Sequence, residues 1–288
     1  MATPTQWLAA SRPRTLSAAI APVAVGIAVA RTTGTLSWWR ALLCLVVSLA
    51  VQIGTNFSND YSDGRRGTDD RRVGPTRLVA SGLASEKRVL AAALGAFAVA
   101  GVAGLVLAVV VSPWLLVVGA ASMTAGWYYT GGRHPYGYAA MGEVFVFIFF
   151  GLVAVAGTVY ASSGHLPALG LVAAVPVGLV TVALLVVNNL RDIPTDAVAG
   201  KHTLAVHLGE HRTRLLYLVC IAGGFVTVAP VALHRPAAVL ALVAIVPAAV
   251  PVRRVLGRAE GRELISALGQ TGGLQLVFSA LLAIGIAL

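Results

Sequence analysis

The chain has 288 residues, of which 58% are hydrophobic and 11% charged, against roughly 45–50% apolar and about 25% charged in a soluble domain. A mean hydropathy of +0.84 excludes a soluble globular protein, and the net charge of +10 at pH 7 becomes a question of which membrane face carries the cations. Cys44 and Cys220 both fall in apolar runs, where a thiol acts as a small hydrophobe and no disulfide is expected.

Residues 1–14 are polar and short, and no small-residue cleavage site follows them, so the first apolar segment reads as a retained span. A bilayer core of about 30 Å needs about 20 apolar residues per helix. The charge-free stretches are 15–30, 41–59, 89–132, 144–190, 215–234, 236–252 and 264–288. Two of these are about twice the needed length and carry polar breaks, at Ser112-Pro113 and across Ser162–Pro167, so each reads as a helical hairpin. The expected fold is all-α, a single domain over 1–288 forming a bundle of nine transmembrane helices.

With nine spans the loops alternate sides, and every Lys and Arg except Arg31, Arg40 and Arg235 falls on one face, together with all the acidic residues. The positive-inside bias assigns that face to the cytoplasm. The N-terminus is then cytoplasmic, the C-terminus lies outside a plasma membrane, and any cavity built on the acidic residues opens at the cytoplasmic face. Topology alone accounts for Arg253, Arg254, Arg258 and Arg262.

Two loops on that face repeat a pattern. A shift of 133 positions lays Asn56, Asn59, Asp63 and Gly67 on Asn189, Asp192, Asp196 and Gly200, an apparent internal repeat with copies at 56–67 and 189–200. Polar residues at i and i+4 stack on one helical face where the helix leaves the apolar core. Hard oxygen donors without His or Cys suit Mg²⁺, which takes one or two carboxylates and completes its shell with water and phosphate oxygens. Asn59, Asp60, Asp63, Asp192 and Asp196 are the candidate metal ligands. Arg65, Arg66, Arg77, Arg191 and Lys201 would neutralise the rest of a diphosphate. As solvated loops, the same segments would use their charges to cap helix ends. That account fits Asp69, Asp70 and Glu210 equally well, but not two matched carboxylate sets at the mouth of a membrane bundle.

Asn59-Asp60-Tyr61-Ser62-Asp63 and the Asp192/Asp196 pair resemble the two aspartate-rich motifs of the UbiA-type intramembrane aromatic prenyltransferases. The likeness extends to Arg12-Pro13-Arg14-Thr15, Tyr129-Thr130-Gly131-Gly132, Pro135-Tyr136-Gly137-Tyr138, Gly142-Glu143 and Gly200-Lys201-His202-Thr203. These segments are similar to the 1,4-dihydroxy-2-naphthoate polyprenyltransferase branch, and the resemblance runs from about Arg12 to Gly209. Several superfamily members place an aspartate four residues after Asp63. Here Gly67 stands there and the acids follow at Asp69 and Asp70, which favours the naphthoate branch over the hydroxybenzoate and haem branches.

The resemblance implies transfer of a prenyl group from a polyprenyl diphosphate to a small aromatic acid, with loss of diphosphate and CO₂. In that chemistry Mg²⁺ held mainly by Asp63 and Asp196 stabilises charge developing on the leaving group, assisted by Lys201, Arg77 and Arg191. Arg65, Asn189 and Tyr129 are further candidate substrate contacts. Trp127, Tyr128, Tyr129 and Phe145 could shield an allylic cation, although plain packing explains such aromatics as readily. Arg12, Arg14 or Arg133 could take the acceptor carboxylate, Glu143 or Asp69 a proton, and His202 a phosphate oxygen. The expected partners are the bilayer and these two substrates, with no nucleic acid. Other readings are a prenyltransferase for 4-hydroxybenzoate or homogentisate, a nucleotide-dependent phospholipid phosphotransferase, and a secondary transporter. Transporters usually combine inverted repeats with midplane acids; here the copies lie on one face.

Overall fold

The computed structural model describes residues 2–68, 77–257 and 259–288. Among them there is no β-strand, only one isolated parallel bridge between Ala139 and His202. Helix α1 (Pro4–Ala10) starts at Thr3 with a capping box closed by Gln6. The chain turns through Arg12, held at φ 58°, and a 3-10 turn at Pro13–Thr15 into α2 (Ser17–Arg31), bending by 53°. Helices α3 (Trp38–Arg66), α4 (Glu86–Val110) and α5 (Trp114–Tyr128) follow. Helix α6 (Gly142–Val146) passes through a π-helical turn at Phe147–Val153 into α7 (Ala154–Ser163).

The second half comprises α8 (Ala168–Val198), α9 (Leu204–Val226), α10 (Val228–His234), a 3-10 segment Pro236–Ala244 leading into α11 (Ile245–Leu256), and α12 (Gly261–Ala287). Among the described residues seven helical segments are long and apolar enough to cross a membrane, and the bent pair Pro4–Thr15 and Ser17–Arg31 makes eight. Both expected hairpins break where the polar residues stand, between Val110 and Trp114 and between Ser163 and Ala168. The remaining expected span is α5, whose 15 residues cover about 22 Å at 1.5 Å per residue, short of that length, although it carries the chain back to the end where Thr130 and Tyr138 bond Asn59 and Asp63. After α5 the chain leaves the helix and folds over the bundle end as residues 129–141.

Helix α8 is the centre, with 72% of its most apolar window buried. It packs against α9, α12, α2 and the π-helical turn, and its Val177, Val180, Ala183 and Val187 enter the largest apolar cluster. Helix α3 forms the second centre, against α4, α2, α5 and α7. Both long helices stop at the motif: Gly67 and Gly200 each have φ 70°, a left-handed conformation that glycine adopts without Cβ strain.

At the π-helical turn a Cβ on Gly151 would lie 2.7 Å from the Gly178 Cα of α8, so the two backbones touch. Gly151→Val is expected to destabilise the folded protein by about 1–3 kcal/mol through overpacking, read as a lower thermal midpoint in detergent.

Candidate active site

A cavity of about 640 Å³ runs between α2, α3, α4, α5, α7 and α8, under the 129–138 segment. Its polar end holds Asn59 and Asp63 from α3, Asn189, Asp192 and Asp196 from α8, and Arg12, Arg77, Tyr138 and Lys201. Its far end holds Val23, Cys44, Leu107, Leu115 and Ala161. Asp63 and Cys44 are 19 positions apart on one helix, about 28 Å along its axis. Such a space fits an amphiphile with an anionic head and a long hydrocarbon tail.

The two motif helices present matching strips. Ser48, Gln52, Asn56, Asn59 and Asp63 on α3 and Thr181, Leu185, Asn189, Asp192 and Asp196 on α8 keep the 133-residue offset, and all ten line the cavity. The repeat therefore continues two turns deeper than the motif. The asparagines play equivalent parts: Asn56 Nδ2 donates to the Ser11 carbonyl at 2.8 Å and Asn189 Nδ2 donates to Glu143 Oε1 at 3.0 Å. Each ties its helix to the chain that begins the preceding span.

Asp63 is held from three sides. Tyr138 donates to Oδ1 at 2.8 Å, Lys201 donates to Oδ2 at 2.9 Å, and Arg77 lies 3.9 Å from Oδ2. Lys201 also stands 4.8 Å above the Tyr138 ring. Asn59 accepts from the Thr130 hydroxyl at 2.8 Å, and Arg66 clamps the carbonyls of Thr130 and Gly132. Asp192 receives both arms of Arg191 at 2.7 Å, while Arg191 also reaches Asn188 Oδ1 at 2.9 Å. Tyr129 senses the convergence of the two motifs. Burial pushes its phenol well above the usual range, and the charges of Glu143, Asp196 and Asp63 push it the same way. The Tyr138 phenol is likewise raised, by burial and then by Asp63. Both hydroxyls therefore remain proton donors at neutral pH.

Among the described residues no three His, Cys, Asp or Glu side chains close on a point where they alone could hold an ion. The donors present are amide and carboxylate oxygens at the mouth of a cavity shaped for an anionic head. They fit a hard cation that takes few protein ligands and draws the others from water and phosphate.

Several expected site residues lie elsewhere. Asp60 is fully buried and off the cavity wall; its two oxygens accept the backbone N–H groups of Leu78 at 2.8 Å and Val79 at 3.0 Å. It secures the chain re-entering after the first motif and is not placed to ligate an ion. Glu143 stands behind Asn189, off the wall. Arg191 is buried beside Asp192 and also does not line the cavity. Arg65 is exposed, bonded to Tyr61 at 2.7 Å and 3.5 Å from Glu86. Arg133 and Arg14 are exposed, and of the three arginines offered for a carboxylate only Arg12 lines the cavity. Trp127 and Tyr128 are off the wall, whereas Tyr129 and Phe145 are on it. His202 is off the wall, its ring 5.8 Å from His207. Asp69 and Asp70 lie outside the described residues.

Sequence reasoning missed Tyr138, Thr130, Tyr136 and Phe149. The last two continue an aromatic wall, with ring centroids 5.5 Å apart for Tyr129–Tyr136, 3.9 Å for Tyr136–Phe145 and 6.0 Å for Phe145–Phe149. The π-helical turn keeps that wall straight. Phe145, Phe149, Val153, Gly157 and Ala161, four residues apart, all face the cavity, a row that a regular helix of 3.6 residues per turn would swing away.

Paired acids and cations at one end of a cavity and a hydrocarbon channel beyond, among helices long and apolar enough to cross a membrane, define a membrane protein built to receive an amphiphile with an anionic head. Residues 19–271 match the UbiA prenyltransferase family. The chain is 50% identical over 286 residues to the 1,4-dihydroxy-2-naphthoate octaprenyltransferase of Mycobacterium tuberculosis, covering 98% of this chain and 97% of that one. It is 36% identical over 238 residues to the enzyme of the same name from Escherichia coli, covering 77% of this chain and 75% of that one. In fold it resembles a UbiA homolog from Archaeoglobus fulgidus bound to GPP and Mg²⁺, with a TM-score of 0.64 at 15% identity over 98% of this chain and 99% of that one. The chain belongs to the UbiA prenyltransferase family and is a prenyl-transferring enzyme.

Two substitutions separate scaffold from site. Asp60→Ala strands the buried Leu78 amide, costing about 1–3 kcal/mol, and the partly buried Val79 amide beside it, and is expected to lower the thermal midpoint clearly. Tyr138→Phe removes one donor from Asp63 and should leave the midpoint nearly unchanged while slowing turnover about ten-fold, as assayed with saturating substrates.

Proposed function

We propose that the chain transfers a polyprenyl group from polyprenyl diphosphate to 1,4-dihydroxy-2-naphthoate, forming the demethylmenaquinone skeleton in its quinol form. The observation that carries this is the bipolar cavity, with the two motif helices at its charged end, taken with the shared name of relatives up to 50% identical. The whole chain, 1–288, acts as one catalytic unit.

In this reading Asn59, Asp63, Asp192 and Asp196 would hold Mg²⁺, which would supply neutralisation of the leaving group's charge. Lys201 and Arg77 release Asp63 and turn to the diphosphate, and Tyr129 and Tyr138 donate hydrogen bonds at the same end. Arg191 keeps Asp192 aimed, and Glu143 does the same for Asn189. The allylic C–O bond breaks with its electron pair leaving on the diphosphate. Phe145 and Phe149 then face the allylic cation and exclude water. Arg12 binds the acceptor carboxylate. The ring carbon bearing that carboxylate bonds to the allylic carbon; CO₂ departs, returning its electron pair to the ring, and the acid form also releases its proton.

The acid-bearing end faces the cytoplasm of a plasma membrane, since all but three of the 21 Lys and Arg residues belong to that face. The N-terminus shares that side, and the C-terminus is outside.

Purified protein with Mg²⁺, octaprenyl diphosphate and dihydroxynaphthoate is expected to yield prenylated naphthoquinol, with none formed in EDTA. Turnover of 4-hydroxybenzoate in its place would overturn the acceptor assignment. Asp63→Ala and Asp196→Ala should each abolish product while remaining folded in detergent; near-normal rates in either would remove that residue from the ion site.

A further inference from the structure

The two matched strips differ in chemistry at one depth. Where α8 places Leu185 on the cavity wall, α3 places Gln52. Gln52 lies 11 positions before Asp63, about 16 Å deeper along the helix, at a level where the rest of the wall is largely apolar. A primary amide there carries two donors and an acceptor and is costly to leave unmatched. Within the protein, Nε2 has Thr15 Oγ1 at 3.5 Å, the outer edge of a hydrogen bond. A prenyl chain offers it nothing, because hydrocarbon neither donates nor accepts.

Neighbouring contacts give this amide a setting. Asn56, one turn nearer the mouth, fastens the Ser11 carbonyl, fixing the tight turn that carries Arg12 at φ 58°. Arg12, Thr15 and Gln52 therefore share one side of the cavity. The same cavity is lined by the aromatic row of Phe145 and Phe149, which supplies flat apolar surface. A cavity that offers a cation and an amide together with aromatic faces suits a planar hydroxylated aromatic acid.

We propose that Gln52 is a specificity-determining residue that hydrogen-bonds the acceptor's 4-hydroxyl, the one remote from the carboxylate bound by Arg12. This deepens the acceptor assignment made above and rests on it. The α8 strip, with Leu185 at the same level, is left to the hydrocarbon chain. Rejection of an acceptor lacking that hydroxyl follows, since the amide would then be buried without a partner.

The test uses the full-length protein in detergent and Gln52→Leu, which installs the side chain the other strip carries. KM is measured for octaprenyl diphosphate and for 1,4-dihydroxy-2-naphthoate, and competitive inhibition by 1-hydroxy-2-naphthoate, which lacks the 4-hydroxyl. The expected result is an acceptor KM raised about ten-fold with the diphosphate KM unchanged. The variant should also bind the mono- and dihydroxy acids alike, where the wild type prefers the dihydroxy acid. Unchanged discrimination in Gln52→Leu, no preference in the wild type, or equal rises in both KM values would overturn the proposal, the last marking a structural role. If the wild type makes no product from dihydroxynaphthoate, the acceptor assignment fails and takes the subsite with it. Product formation with unaltered selectivity rejects the subsite alone.

Discussion

Carboxylates can be kept in the mouth of an apolar bundle only if each is balanced where it stands, because an unpaired charge there is expensive. Asp63 is balanced by Lys201, Arg77 and Tyr138, and Asp192 by the doubly bonded Arg191. The partners of Asp63 come from three separate segments of the chain. The need to bring them together links the end of α3, the chain at 77–79, the 129–138 segment and the turn after α8. The cations that neutralise the acids in this way are the same kind of group that a diphosphate attracts, so under the proposed function the ligand would exchange one set of ion pairs for another.

From that end the rest of the architecture has a direction. Helices α3 and α8 run inward from the charged mouth as equivalent walls, and the π-helical turn between α6 and α7 closes a third side with a straight row of aromatic and then small residues. Among the described residues nothing after Thr203 lines the cavity. Helices α9, α10 and α12 instead pack on α8 from outside the cavity, α12 resting on α2 as well. Tyr217 meets Thr271 at 2.9 Å, and Gln275 donates to Thr181 at 2.6 Å, bracing the wall from outside. This division explains why the family-like motifs end near Gly209 while the hydrophobic spans continue.

Much of this was legible in the sequence, for identifiable reasons. Apolar run length exposes most spans, because lipid requires each segment to satisfy its own backbone, and the Ser112-Pro113 and 162–167 breaks mark real helix ends. The paired acids stand out because i, i+4 spacing survives as a helical face. The choice between adjacent residues was not legible. Asp60 and Asp63 both carry carboxylates at a motif helix end, and only the return of the chain at Leu78 and Val79 decides that Asp60 serves the backbone. Arg65 and Arg66 are neighbours too, yet one is solvated against Tyr61 and the other clamps Thr130 and Gly132. The π-helical turn left no propensity signal among Phe147–Val153, and the shortness of α5 follows from tertiary demand for the 129–141 cover. Gln52 did leave a signal, as a lone amide in an apolar run one turn before Asn56, but it gained meaning only when Leu185 appeared opposite.

The central claim is that Asp63 and Asp196, from different helices, act together on one cation-bound diphosphate. Calorimetric titration with an unreactive prenyl thiodiphosphate tests it directly, using wild type, Asp63→Asn, Asp196→Asn and the double variant, with and without Mg²⁺. The account predicts binding that requires Mg²⁺, a loss of about ten-fold or more in each single variant, and a double variant little worse than the weaker single, as for residues serving one ion. Binding indifferent to Mg²⁺, or losses that simply add, would contradict it.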